Sequence, residues 1–327
     1  MTSYVEEKIK PQGNDSDTLV IENDTWLLKE SKGNTLFDKF ILNSIKLAYR
    51  GKRFFYKIKL GETKRDKLWK DRKINFVSFL YRNIERLRLD NSLLLIFDAP
   101  KYNFKFCSRV TRKINNFAIH DIFISMGSHE DEILEHFTPK EGEIVVDIGA
   151  AFGFYTILAS RMVGQKGRVI AIEPQPESFQ MLNSNIKLNK LSNVKTLNYA
   201  VYSNETKLKL YNTYSVLPER AVKNTSEYSE IKANTLDNLL FQTGNIDEVN
   251  WIKIDVEGAE YQVLKGATNI LSKSRDIALL IEIHNISEGR SDYQSIINLL
   301  NKYNFKIEFE KIYDNGERHI IIRKQQL

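Results

Sequence analysis

The chain has 327 residues, 42% hydrophobic and 28% charged, which excludes a fibre or wholesale disorder and leaves room for one large domain with an accessory region. No apolar run approaches the roughly 18–20 residues a membrane-spanning helix needs, and the start MTSYVEEKIKPQ lacks the basic-then-apolar order of a signal peptide, so the expectation is a cytoplasmic protein, at most peripheral to a membrane. The net charge of +6 is uneven, with 15 Lys or Arg against 4 acids between Lys46 and Arg88, and the single cysteine, Cys107, excludes an internal disulfide.

Residues 1–34 are polar, carry no sustained period and read as a mobile leader. From Leu36, the segment LFDKFILNSIKLAYR sets Leu36, Phe37, Phe40, Ile41, Ile45 and Ala48 at helical spacing, and a second helix is expected from Asn75 to Leu89. Between them, Phe54, Phe55, Tyr56 and Trp69 are interleaved with cations. That pattern suits a phosphate-bearing partner, whether an anionic membrane face, a lipid-linked precursor or nucleic acid, but the plainer and favoured reading is solvated helix faces packed on the main domain. Two apolar segments, in Ser92 to Phe106 and Asn116 to Ser125, read as strands of a small sheet. Residues 35–127 are thus expected to form a basic accessory region, helices first and then strands, ahead of a main domain over 128–327. SHEDEILEHF opens that domain as a helix with Ser128 as N-cap.

From Ile144 strands and helices alternate: VVDI, a helix from Phe154 to Met162, RVIAIEP, the helix PESFQMLNSNIKLN and the strand VKTLNYAV. After an irregular insert from Tyr202 to Ala233, which includes the strand-like KLKLY, come the helix TLDNLLFQTG, the strand WIKID, one helix EYQVLKGATNIL, the strand DIALLIEIH and the helix DYQSIINLLNKY. FKIEFEKIY and RHIIIRK close the chain as a hairpin around Asp314-Asn315-Gly316. Repeated βα units require a doubly wound parallel sheet, and the hairpin brings the count to seven strands, mostly parallel.

The stretch EIVVDIGAAFGFYT is a buried strand breaking into a glycine turn before a helix, where such folds bind nucleotides. A dinucleotide turn wants G-x-G-x-x-G, but here Gly149 is followed by Ala150, Ala151, Phe152 and Gly153, and no Lys-Ser/Thr follows to make a P-loop. The turn therefore favours a nucleoside ligand without phosphates. Glu173, at the end of the second strand and followed by Pro174, is placed to accept hydrogen bonds from both hydroxyls of a bare ribose. Asp147, just before the turn, can meet a ligand amino group, and a cationic sulfonium amino acid suits so acidic a pocket.

VVDIGAAFGFYT, VIAIEP, IKIDVEGAEYQVLKGA and LLIEIH together resemble the S-adenosylmethionine-dependent methyltransferases of the FkbM type, over roughly Glu130 to Lys324. Asp255-Val256-Glu257-Gly258-Ala259-Glu260 is the most specific part of the likeness. The resemblance implies an α/β, Rossmann-like class I methyltransferase fold over 128–327, S-adenosyl-L-methionine as cofactor, and methyl transfer to a hydroxyl of a sugar, glycan or related small molecule. It implies a cofactor site of Asp147, Gly149, Ala150, Gly153, Tyr155, Thr156, Glu173, Pro174 and Asp255, with Ala200 and Val201 near the adenine. An N-methyltransferase acting on protein or RNA is the alternative, weakened because Asp-Val-Glu-Gly stands where RNA-directed enzymes of this fold often carry Asn/Asp-Pro-Pro-aromatic. A degenerate, binding-only fold is another.

Asp255 and Glu257 are two apart, as are Glu282 and His284, so each pair shares a strand face and the four converge at the carboxyl edge of neighbouring strands. An alcohol is a poor nucleophile, so its proton must leave as it attacks. His284 is the natural base, with Glu257 or Glu282 orienting its ring, and Asp255 or Glu257 could serve instead. The same groups could ligate a divalent cation, but in-line methyl transfer does not need one, and no metal is expected. Glu260 and Lys265 read as helix-surface residues.

Overall fold

Short runs of β-branched and apolar residues after Glu143 fold into a sheet buried on both faces, as a parallel sheet wrapped by helices must be. The computed structural model describes residues 18–22, 25–29, 93–99, 104–110, 131–211, 228–284, 293–313 and 316–325. The chain divides into two units, Met1–Met126 and Gly127–Leu327.

In the first unit, β1 (Thr18–Glu22), β2 (Thr25–Lys29), β3 (Leu93–Ala99) and β4 (Phe104–Val110) form one sheet in the order β2-β1-β3-β4. Two strands thus lie within the stretch expected to be a leader without periodic structure. TLVIE and TWLLK are each only five residues, too short to display a period, yet they pair antiparallel with Leu19 opposite Leu28 and Ile21 opposite Trp26. The helices expected from Leu36 and over Asn75 to Leu89, the basic aromatic stretch, the strand in Asn116 to Ser125 and the Ser128 cap lie outside the described residues.

In the second unit, α1 (Asp131–His136) precedes β5 (Ile144–Ile148), α2 (Phe154–Val163), β6 (Arg168–Ile172), α3 (Pro176–Leu188) and β7 (Val194–Leu197). Then come β8 (Ala200–Val201), β9 (Thr206–Tyr211), β10 (Tyr228–Asn234), α4 (Leu236–Gly244) and β11 (Trp251–Ile254). The chain ends with α5 (Glu260–Lys265), α6 (Thr268–Lys273), β12 (Ala278–Ile283), α7 (Tyr293–Asn301), β13 (Phe305–Ile312) and β14 (Arg318–Lys324). The main sheet has seven strands in the order β13-β14-β12-β11-β5-β6-β7. β5, β6, β7, β11 and β12 run parallel, and β14 enters antiparallel between β12 and β13. The core runs from Ile148 and Ile172 through Ile254 and Ile281 to Leu264, Ile296 and Leu300, where truncating a single side chain to alanine costs about 2–5 kcal/mol.

Three elements differ from expectation, each for a local reason. The third strand is cut after Leu197, where the Asn198 side-chain amide donates to the carbonyls of Glu173 (2.8 Å) and Pro174 (3.0 Å). Ala200–Val201 then joins a separate sheet in the order β8-β10-β9, in which the expected strand-like KLKLY is β9 and the unexpected β10 lies between the two, with Ala200 packed on Leu210, Ile231 and Ala233. The single helix EYQVLKGATNIL is two, because Asp237 of α4 accepts the N–H groups of Asn269 (2.9 Å) and Ile270 (3.0 Å) and so caps a new helix there.

Candidate active site

Strand order reverses at β5: the chain moves outward through β6 and β7 on one side and through β11 and β12 on the other. At such a reversal the loops leaving the carboxyl ends part and open a crevice. Asp147, Glu173, Asp255 and His284 sit at or beside the carboxyl ends of β5, β6, β11 and β12 respectively.

On the β5–β6 side the chain holds itself in place mostly with backbone. Gly149 has φ +75°, and a Cβ there would stand 1.7 Å from the Asp255 carbonyl oxygen. The glycine thus serves the close approach of two strand ends, where the sequence suggests the approach of a ligand. Ala150 packs on Ala171 and Leu182, and Ala151 takes φ +47° so that its N–H reaches Glu173 Oε2 at 2.8 Å. Gln175 N–H donates to Glu173 Oε1 at 2.9 Å, so two backbone donors fix the carboxylate and each oxygen keeps acceptor capacity. Burial pushes the Glu173 carboxyl up to about 7, against the pull of those two hydrogen bonds and of Lys253.

Asp147 is buried, and its Oδ2 accepts the Thr156 hydroxyl at 2.5 Å. Its Oδ1 has no hydrogen-bond partner among the described residues, with the Lys253 ammonium 4.0 Å away. Burial raises its pKa, countered by Lys253 and Thr156. Tyr155 lies beneath, its ring edge-on to Phe137 and 5.1 Å from Lys253 Nζ. Ala200 and Val201 are buried, Ala200 in the small β core and Val201 in the main one.

The β11–β12 side is built of side chains. Lys253, in register with Asp147, is buried and places Nζ 3.0 Å from Asp255 Oδ2 and 3.4 Å from the Gly149 carbonyl. Burial works against its charge, but Asp255 and Asp147 outweigh it and hold the lysine protonated. Burial likewise opposes ionisation of Asp255, yet Lys253 and His284 hold its carboxyl below the usual value.

His284 is the hub. Its ring is 3% exposed, with Nδ1 2.8 Å from Glu260 Oε1, which also accepts the Gly258 N–H at 2.8 Å. Nε2 faces Glu282 Oε1 at 3.5 Å, Glu257 Oε2 at 3.6 Å and Asp255 Oδ1 at 4.0 Å. Glu257 reaches there from a left-handed backbone, φ +54°. Burial alone would lower the pKa of the ring, but the Glu260 hydrogen bond and charge, with Glu282 and Glu257, push it up to about 10. The surrounding carboxylates thus favour the protonated ring over the neutral one.

The four acidic and histidine positions expected to converge do so. The expected orienting residue is corrected: Glu260, read from sequence as helix surface, is fully buried and holds Nδ1, whereas Glu257 and Glu282 face Nε2. Lys253 and His319 went unrecognised. His319 is opposite Glu282 in the β12–β14 register, with Nε2 3.0 Å from Glu282 Oε2 and Nδ1 3.0 Å from the Tyr313 hydroxyl. A lysine inside the apolar run WIKI, two residues before an acid, was the available signal for Lys253. Nothing local pointed to His319, whose partner comes from strand register.

This strand order, with acids and a glycine turn at its reversal, defines the class I methyltransferase fold, a class that draws its methyl group from S-adenosylmethionine. Residues 147–307 match the methyltransferase FkbM domain. With the relatives below, that match makes the chain a methyltransferase. It is 26% identical over 187 residues to the hexuronic acid methyltransferase AglP of Haloferax volcanii, an alignment covering 57% of this chain and 72% of that one. It is 23% identical over 197 residues to Methyltransferase 1 of Beauveria bassiana, covering 52% and 75%. Among solved structures, a SAM-dependent methyltransferase from Aquifex aeolicus aligns with a TM-score of 0.36 at 18% identity, covering 60% of this chain and 89% of that one.

Proposed function

We propose that this methyltransferase places a methyl group on a hydroxyl of a sugar, glycan or related small molecule, using residues 128–327 as the catalytic unit. The observation that carries the reading is the cluster of Asp255, Glu257, Glu282 and His284 beside the Asp147–Gly149 turn. The similarity to a hexuronic acid methyltransferase supports a sugar acceptor. An N-methyltransferase acting on RNA or protein has weaker support, since the RNA-acting relatives match only 73 residues, 22% of this chain.

The residues present fit the methyl donor. Glu173, pinned by two backbone donors, has acceptor capacity for both ribose hydroxyls, and the orphaned Asp147 Oδ1 calls for a donor such as the ligand's ammonium. When bound, S-adenosylmethionine supplies a methyl group on a sulfonium, whose C–S electron pair remains with sulfur. The work left to the chain is to align a hydroxyl and take its proton. The carboxylates around His284 favour a proton already on its ring, which makes it a poorer acceptor than a carboxylate. We assign the proton to Glu282, because the carboxylate also contacts His319, which contacts Tyr313, a chain through which the proton can leave. His284, held by Glu260, positions the carboxylates around the acceptor.

The test is to incubate the full chain and methyl-labelled S-adenosylmethionine with uronic acids, neutral sugars, glycolipids, RNA and protein. Label in an alkali-stable ether on a sugar is expected. Label confined to RNA or protein would overturn the acceptor class, and absence of donor binding by calorimetry would overturn the donor site.

A further inference from the structure

We infer that Asp255, Glu257 and His284 bind one divalent cation of the manganese or magnesium type. One ligand atom from each lies within 4.8 Å of the others. Ligands about 2.0–2.4 Å from a shared ion stand no more than about 4.8 Å apart, so a single ion can reach all three.

Acids crowded at a strand edge are common without a metal, and the imidazole separates this cluster from them. Its Nε2 edge is buried and makes no hydrogen bond among the described residues: the facing oxygens at 3.5, 3.6 and 4.0 Å are too far for a good one. The other edge donates to buried Glu260, the arrangement that fixes ring orientation in metal-bound histidines. The carboxylates are turned the same way. Asp255 gives Oδ2 to Lys253 and Glu282 gives Oε2 to His319, so Asp255 Oδ1 and Glu282 Oε1 are the oxygens turned toward Nε2. The centre of the cluster is thus a place for positive charge. A proton on Nε2 meets that need in part, and a divalent ion displacing it meets it with direct bonds.

Two carboxylates and one imidazole form an oxygen-rich set that suits manganese or magnesium over the softer ions. Such ions take about six ligands, so three protein donors leave positions for waters or substrate oxygens. The side chains of Asp255 and Glu257 are 30% and 25% exposed, which leaves a way in. Resting on the hydroxyl-acceptor reading above, the ion would take a chelating pair of acceptor oxygens, such as vicinal hydroxyls or a hydroxyl beside a carboxylate, and so lower the pKa of the one to be methylated.

The experiment is a Mn²⁺ titration of the EDTA-treated full chain, following free Mn²⁺ by electron paramagnetic resonance, with S-adenosylhomocysteine binding measured separately by calorimetry. One Mn²⁺ per chain is expected, weakened at least tenfold by His284→Gln and by the partly exposed Glu257→Gln, with S-adenosylhomocysteine affinity retained. The partly exposed position keeps the test valid if the buried variant fails to fold. The site is overturned if the wild type binds no Mn²⁺, if both variants bind it as tightly, or if S-adenosylhomocysteine displaces it. Loss of Mn²⁺ binding alongside intact S-adenosylhomocysteine binding would remove the ion and leave the methyltransferase reading standing.

Discussion

The two sides of the crevice are made in different ways. On the β5–β6 side, a turn and a strand end about 20 residues apart hold Glu173 with main-chain N–H groups, and the side chains of Ala150 and Thr156 face inward. On the β11–β12 side, the positions are set by side chains drawn from three strands and one helix, with His284 at their centre. Backbone geometry tolerates changes of side chain and binds an invariant ligand; a side-chain network can be retuned residue by residue. On the proposed reading, the first arrangement serves the methyl donor and the second the acceptor.

That contrast predicts that substitutions on the two sides separate turnover from donor affinity. Glu282→Gln removes the assigned proton acceptor and should lower kcat by about 10²–10⁴, with donor affinity by calorimetry unchanged within about twofold. Equal loss of both would mean that the two sides act as one. Gly149→Ala is next in size. Its Cβ would meet the Asp255 carbonyl at 1.7 Å on a backbone of φ +75°, so both sides should shift together, with a stability loss of about 3 kcal/mol seen as a lower Tm. An unchanged Tm would show that the two strand ends can part without cost.

The same contrast explains what could be read from sequence. The βα alternation, the seven strands and their closing hairpin were legible because each rests on a short-range period or turn. So were the positions of Gly149 and Glu173 at the strand ends, which belong to a local motif, though not the reason for the glycine, which is the nearby Asp255 carbonyl. Glu260 was not: an acid in the first turn of a helix ordinarily faces solvent and favours the dipole, and only the packing of α5 against the end of β12 buries it on His284. His319 required knowing that β14 inserts beside β12 in a register that sets it opposite Glu282. The split between α5 and α6 depended on Asp237, more than 30 residues upstream of the amides it caps.

The smaller effects lie wholly on the donor side. Glu173→Gln replaces one acceptor oxygen by an NH2 group that cannot accept, so either Ala151 or Gln175 loses its partner and ribose binding weakens. We expect the Kd for S-adenosylmethionine to rise about 10–100-fold, with kcat at saturation little changed.

The last effect comes from pH. Burial holds the Glu173 carboxyl up to about 7 from an ordinary 4.5, so the unliganded fold favours its neutral form. With a folded pKa above the unfolded one, the stability linked to this group is fully present below 4.5 and is lost as pH rises through about 7. Ribose binding needs the opposite state, the carboxylate that accepts from both hydroxyls. Between pH 8 and pH 6 the ionised fraction falls from about nine-tenths to about one-tenth, so the Kd for S-adenosylmethionine should rise about tenfold over that range. Affinity and the unliganded chain's stability should therefore move in opposite directions. Glu173→Gln should flatten the affinity curve, whereas Glu282→Gln, across the crevice, should leave its slope in place. A slope that survives Glu173→Gln would move the titrating group to the other side.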